Sequence, residues 1–204
     1  MADPADTHAD RSHASRDLSP DASPDAPSNL AARIHRASYL TGSFVLRSGA
    51  VSDTYFDKYL FESDPALVAE IAAAMTGLVP EGVEAVAGLE TGGIPLAVLI
   101  SQRTGLPTRF VRKEAKTYGT ERLAEGGPVE GRRLLVVEDV VTSGGQVIAS
   151  TRDLRERGAT IATALCVIDR QAGGAEALAA QGIELRALFT MRDLLDAAGA
   201  TGST

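Results

Sequence analysis

The run from Leu134 to Gln146 reads Leu-Leu-Val-Val-Glu-Asp-Val-Val-Thr-Ser-Gly-Gly-Gln. Four apolar residues in a row fit a strand buried on both faces, as in a parallel sheet. Thr142, Ser143, Gly144 and Gly145 then present hydroxyls and unobstructed backbone N–H groups where a helix begins, which is the geometry that binds a phosphate. Glu138 and Asp139 stand just before that turn. A phosphate facing them directly would be repelled, so they suit the hydroxyls of a sugar carrying the phosphate, or a divalent cation. A plain strand–turn–helix has no use for two acids there, because unpaired buried charge is costly.

Two further segments hold reactive types. Of the 20 basic residues only three are lysines, Lys58, Lys113 and Lys116, and two of these fall in Arg112-Lys113-Glu114-Ala115-Lys116-Thr117-Tyr118-Gly119. By itself such a charge run reads as a solvated loop. Ile168-Asp169-Arg170-Gln171 follows another apolar run, and alone its Asp-Arg pair reads as a local ion pair or cap.

These residues need a scaffold, and the chain's periodicity supplies one. Residues 1–28 are rich in Asp, Ala, Ser, Pro and His without periodicity, and read as a disordered extension in which His8 and His13 are solvated. From residue 29 to 204 the pattern is one domain. A helix is expected over Leu30–Leu40, then short strands over Phe44–Leu46 and Thr54–Phe61. Asp64-Pro65 starts a helix with Leu67, Ile71, Met75 and Leu78 on one face. Strands follow at Glu84–Leu89, Thr108–Arg112, Arg133–Val137, Thr160–Ile168 and Ile183–Leu188. Helices follow at Ile94–Arg103, Gly145–Arg157, Glu176–Gln181 and Met191–Ala198. Lys113–Gly131 shows no periodicity, and loops of that length are often functional lids. Alternating strands and helices imply an α/β fold with a mostly parallel central sheet, and ligands at the carboxyl ends of its strands. There is no internal repeat.

The Leu134–Gln146 run closely resembles the phosphoribosyl-diphosphate (PRPP) signature of the type I phosphoribosyltransferases. The resemblance implies that fold, with a small N-terminal hood. It also implies that Thr142, Ser143, Gly144, Gly145 and Gln146 hold the ribose 5-phosphate, with Val140 and Val141 also at the PRPP site. Glu138 and Asp139 then lie near the ribose hydroxyls, with Mg²⁺ as the cofactor bridging these to the diphosphate. The Arg112–Gly119 segment looks like the mobile catalytic loop of the orotate phosphoribosyltransferase family. That implies diphosphate contacts from Arg112, Lys113 and Lys116, with Lys116 and Asp139 catalytic. Tyr118 stands where bacterial members often carry His; its phenol keeps one donor for PRPP. Arg170 matches the family residue that grips the orotate carboxylate, as a guanidinium fork suits, and Thr142 is placed beside orotate as well.

Weaker matches agree. Phe44–Gly49 with Tyr55-Phe56-Asp57 resembles the orotate-side segment, implying orotate contacts from Arg47, Tyr55 and Phe56. Gly88–Pro95 resembles the diphosphate loop, although many bacterial members carry Tyr-Lys where Thr91-Gly92 stand, so backbone amides would do more there. The implied activity joins PRPP and orotate to give orotidine monophosphate and diphosphate in pyrimidine synthesis, in a homodimer with shared sites. A phosphoribosyltransferase for another base would share Glu138–Gln146 without needing Arg170. A PRPP-sensing regulator would need a DNA-binding element, and the N-terminal extension shows no helix-turn-helix pattern.

Bulk properties are consistent with these readings. A chain of 204 residues can bury a real core. A net charge of −7 argues against nucleic acid as a partner. No apolar run has membrane-spanning length, no secretory signal opens the chain, and the lone Cys166 sits in an apolar run. The expectation is a cytoplasmic protein with no membrane partner.

Overall fold

The computed structural model describes residues 27–46, 49–114 and 123–201. The extension ahead of residue 27, together with Arg47, Lys116 and Tyr118, lies outside the described residues. In chain order the elements are α1 (Pro27–Ser38), β1 (Tyr39–Val45), β2 (Val51–Phe56), α2 (Lys58–Glu62), α3 (Pro65–Thr76), β3 (Ala85–Leu89), α4 (Gly93–Thr104), β4 (Thr108–Val111), β5 (Ala124–Glu125), β6 (Arg133–Val141), α5 (Gly145–Arg155), β7 (Thr160–Asp169), α6 (Gly174–Ala179), β8 (Glu184–Thr190) and α7 (Met191–Thr201).

Six strands form one sheet in the order β5-β4-β3-β6-β7-β8, and β1 and β2 form a separate antiparallel hairpin. All pairings in the large sheet are parallel except β4 with β5. From β3 the chain first adds β4 on one side and later places β6 on the other. The carboxyl ends of β3 and β6 therefore flank a topological switch point, where open α/β sheets bind ligands.

The apolar run of β6 is buried from Leu134 through Asp139, because the sheet is covered on both faces. One core joins α1, α3, α4 and α7 through Ile34, Ile71, Met75, Leu96, Ile100 and Leu194. The other packs α5 and α6 through Leu154 and Leu178 against Ala164 and Cys166. Burying each large aliphatic side chain contributes about 1.5–3 kcal/mol. Asp64 caps α3 as its sequence implies, accepting from the N–H groups of Ala66 and Leu67 at 3.0 Å. Such a cap stabilises a helix by ~1 kcal/mol.

Four expectations change. The first helix starts at Pro27, inside the stretch read as an extension, and ends at Ser38, because Tyr39 and Leu40 already pair with Phe56 and Tyr55 in β1. The second hairpin strand ends at Phe56, because Asp57 accepts from the Tyr59 N–H (3.1 Å) and starts the short helix α2. Glu138 and Asp139 lie inside β6, which runs on to Val141 because β7 continues to pair with it there. The long segment after β4 is not wholly without structure: Ala124–Glu125 adds an antiparallel edge strand to β4. Arg109 fastens this return, its guanidinium donating to the carbonyls of Pro128 (3.1 Å) and Gly126 (3.0 Å). The Arg112 N–H donates to the Leu123 carbonyl (2.9 Å), which closes the base of the loop that carries Lys113 and Lys116.

Candidate active site

The turn after β6 is a cradle. Glu138, Val140, Val141 and the residues from Thr142 to Val147 line one cleft of about 390 Å³. Gly144 takes φ 76°, in the left-handed region that glycine tolerates, and α5 starts on the next residue without a side-chain cap. The first N–H groups of α5 thus keep their capacity for an anion, and the helix dipole favours one. Thr142 and Ser143 stand exposed beside them.

Beneath the cradle is an acid cluster. Glu138 is 7% exposed and Asp139 fully buried. The Asp139 N–H donates to Glu138 Oε1 (3.0 Å), and the Val140 N–H donates to Asp139 Oδ1 (2.5 Å). Two residues from α2 join this pair. The Lys58 ammonium forms an ion pair with Asp139 Oδ2. Glu62 Oε1 is buried without a hydrogen-bond partner among the described residues. A Cβ on Gly92 would lie 1.7 Å from Asp139 Oδ2 and 2.7 Å from Glu62 Oε1, so the two carboxyls meet over a backbone with no room for a side chain.

Three carboxyls at one point cannot all ionise. Burial, then hydrogen bonding and charge from Asp139, pushes Glu62 up to about 8. The same causes in the same order push Glu138 up to about 9. For Asp139, burial acts upward, but hydrogen bonds from Glu62, Glu138 and Lys58 and the Lys58 charge outweigh it and hold the group below the usual carboxylate range. For Lys58, burial acts downward and the bond and charge of Asp139 prevail, raising it. The ionised form is therefore favoured at Asp139, with Lys58 as its counter-ion, while Glu62 and Glu138 are biased toward their protonated forms.

The turn after β3 faces this cluster. Glu90 accepts from the Lys113 N–H at 2.8 Å, tying the start of the lysine loop to the Glu90–Gly93 turn. Arg112 is half-buried, and its Nε has no hydrogen-bond partner among the described residues, a donor suited to an anion. Arg170 follows β7, its N–H donating to the Val141 carbonyl (2.9 Å), so its backbone is fixed to the end of the cradle strand. The Asp169–Arg170 ion pair that the dipeptide allows is not formed. Asp169 instead accepts from the Gln171 N–H (2.8 Å), and the Arg170 side chain is exposed.

Tyr55 and Phe56 are not brought together as a paired cover. Successive strand residues point to opposite faces. Phe56 packs inward near Phe61, with ring centroids 6.4 Å apart, whereas Tyr55 is exposed and stacked on Phe44 at 5.5 Å. Sequence reasoning missed Lys58 and Glu62 at the acid pair. The scarcity of lysine was a signal for the first; nothing in the local sequence marked the second.

Known proteins share this fold and much of this sequence. Residues 61–181 match the family model described as the phosphoribosyl transferase domain. An orotate phosphoribosyltransferase of a Nocardioides species is 49% identical over 174 residues, which cover 85% of this chain and 97% of that one. The crystal structure of orotate phosphoribosyltransferase from Aeropyrum pernix is 34% identical with a TM-score of 0.74, over 84% of this chain and 98% of that one. The Mycobacterium tuberculosis orotate phosphoribosyltransferase in complex with PRPP is 29% identical with a TM-score of 0.71, over 82% and 98%. With an α/β sheet whose switch point carries the cradle, and with this degree of identity along nearly the whole length of its relatives, the chain belongs to the orotate phosphoribosyltransferase family of type I phosphoribosyltransferases.

Proposed function

We propose that the chain transfers the 5-phosphoribosyl group of PRPP to orotate, giving orotidine 5′-monophosphate and diphosphate in pyrimidine synthesis. One observation carries this reading: the adjacent strands β6 and β7 end side by side in an anion cradle over the Lys58-paired Asp139 and in the exposed Arg170. The cradle after β6 takes the 5-phosphate. Asp139 and Glu138 beneath it take the ribose hydroxyls. Arg170, at the end of the adjacent strand, takes the carboxylate of the acceptor.

In the transfer, the anionic ring nitrogen of orotate forms a bond to the anomeric carbon with inversion. The bond from that carbon to the diphosphate oxygen breaks, and diphosphate leaves with the electron pair. No enzyme nucleophile is required. The protein orients the partners and stabilises charge: Asp139 faces the positive charge growing on the ribose ring, and Arg112, Lys113 and Lys116 face the departing diphosphate. Tyr118 would offer the diphosphate one further hydrogen bond, and Arg47 and the exposed Tyr55 would contact orotate, whereas Phe56 packs inward beside Phe61.

Mg²⁺ is the proposed cofactor; Glu138 and Asp139 are the acids that would lie beside it, and it would neutralise charge on the diphosphate. Among the described residues no group of three His, Cys, Asp or Glu side chains is arranged to hold a metal. The proposed task of Glu138 and Asp139 themselves is to hold the ribose hydroxyls.

A homodimer in the cytoplasm is the proposed form, with the lysine loop completing the neighbouring subunit's site. Val45 and Val51 on the hairpin and Tyr59 on α2 are largely exposed, apolar surface that a second copy would bury. Among the described residues no helix is long and apolar enough to cross a membrane.

The test is a mixture of protein, PRPP, Mg²⁺ and orotate, followed by loss of orotate absorbance, with adenine and hypoxanthine as alternative acceptors. Turnover with orotate alone is expected; turnover with a purine and none with orotate would overturn the assignment. Arg170→Ala is expected to raise the KM for orotate roughly tenfold to a hundredfold, the equivalent of a lost charge-assisted hydrogen bond of about 1.5–3 kcal/mol, with a smaller change for PRPP. Unchanged orotate affinity would remove Arg170 from the acceptor site.

A further inference from the structure

Lys58 has no part in the transfer as described, yet it touches the central carboxylate. It is the first residue of α2, directly after the hairpin that carries Tyr55. Its ammonium meets Asp139 Oδ2 while its stem lies half-buried, 5.3 Å from the Tyr59 ring at the Nζ. Glu62 lies one turn further along α2, and residues four apart share a helix face. One face of α2 thus presents both a cation and a carboxyl to Asp139. Phe61, between them in sequence, is fully buried and anchors the short helix in the core.

The surroundings of Asp139 are otherwise acidic or neutral. Glu138 approaches from β6 and Glu62 from α2, with Asp57 at that helix's start. Cys166 on β7 is kept a thiol, chiefly by burial. The Gly92 backbone closes the remaining side. Lys58 is therefore the one cation in contact with Asp139 among the described residues.

We propose that Lys58 is a positioning residue for the reaction: its ammonium holds the Asp139 carboxylate in place against two carboxyl neighbours and aimed at the donor ribose. The inference rests on the function proposed above, in which Asp139 faces the ribose. Lys58 acts through Asp139 and touches neither the diphosphate nor the acceptor. Removing it leaves Asp139 without a counter-ion among buried carboxyls, so the group takes up a proton at higher pH. The ionised form is the active one, so the acidic limb of the turnover profile moves upward in pH.

The experiment compares full-length wild type, Lys58→Met and Lys58→Arg, in native and Asp139→Asn backgrounds, by steady-state kinetics with PRPP, Mg²⁺ and orotate across pH. Lys58→Met is expected to lower kcat about tenfold or more at neutral pH and to shift the acidic limb upward, with KM for both substrates changing less than about threefold. Lys58→Arg keeps the charge and restores most of kcat and the position of the limb. In the Asp139→Asn background, Lys58→Met costs less than about a further twofold, because residues acting as a unit are not additive. An unmoved acidic limb, or a full multiplicative loss in the Asp139→Asn background, would overturn the proposal. Should Lys58→Met fail to fold, Lys58→Gln carries the same readouts. Wild type that does not turn over orotate would overturn the parent reading instead, a result seen before any variant is made.

Discussion

Asp139→Asn is expected to lower turnover by about two to three orders of magnitude while the protein remains folded. The size follows from Coulomb's law: a carboxylate about 4 Å from a developing positive charge contributes roughly 4 kcal/mol at an effective dielectric near 20. Asparagine keeps the shape and one acceptor but no charge, and a loss of about 3–4 kcal/mol in the transition state alone is a few hundred-fold in rate. The effect should fall on kcat, since the ground-state ribose carries no such charge. The ion pair with Lys58 and the hydrogen bonds of its neighbours favour the ionised form of Asp139 against the opposing effect of its burial. Steady-state kinetics with a thermal melt decide the matter. A folded variant that keeps turnover within about fivefold of wild type would mean that Asp139 has no electrostatic part in the chemistry.

The second large effect belongs to Lys116. Lys116→Ala is expected to cut kcat about a hundredfold, with substrate KM values changing much less, corresponding to ~3 kcal/mol of charge stabilisation lost at the leaving diphosphate. A cation that arrives only when a loop closes is felt in the transition state and excludes the water that would hydrolyse the donor. The same variant tests whether sites are shared. Mixed with Asp139→Asn and allowed to exchange subunits, it should give hybrids in which one site has both residues intact, so that activity recovers to about a quarter of wild type in a symmetric dimer. No recovery after demonstrated exchange would place Lys116 in its own subunit's site. Unaltered turnover in Lys116→Ala would remove it from catalysis.

The described residues on either side of this segment are tied to the sheet. The pairing of Arg112 with Leu123, the grip of Arg109 on the return strand and the bond from Lys113 to Glu90 fix both ends of the segment against the sheet. The base is rigid where the sheet is rigid, and the lysine-bearing span is attached beside the turn that faces the acid pair. Only the first part of this was visible in the sequence, as a charged stretch between two strands.

Much of the fold was legible because its signals are local. A continuous apolar run announces a doubly buried strand, Asp64-Pro65 announces a helix start, and Thr142–Gly145 announces a phosphate cradle. Each depends on residues within a turn or two of one another. The exceptions were also local in origin: Asp57 ends the hairpin by capping α2, and a two-residue edge strand is too short to leave a periodic pattern.

The sequence by itself determined the glycine-bearing turn after β6, the acids just before it and the arginine after the next strand, because a backbone turn and the residues that line it are written consecutively. It did not determine the surroundings that bias the ionisation of these acids. Those were decided when the core drew Phe61 inward and brought Lys58 and Glu62 from α2 against Asp139 on β6, across a long stretch of chain. Burial and neighbouring charge set a carboxyl's ionisation, and both are properties of packed surfaces that no run of adjacent residues contains.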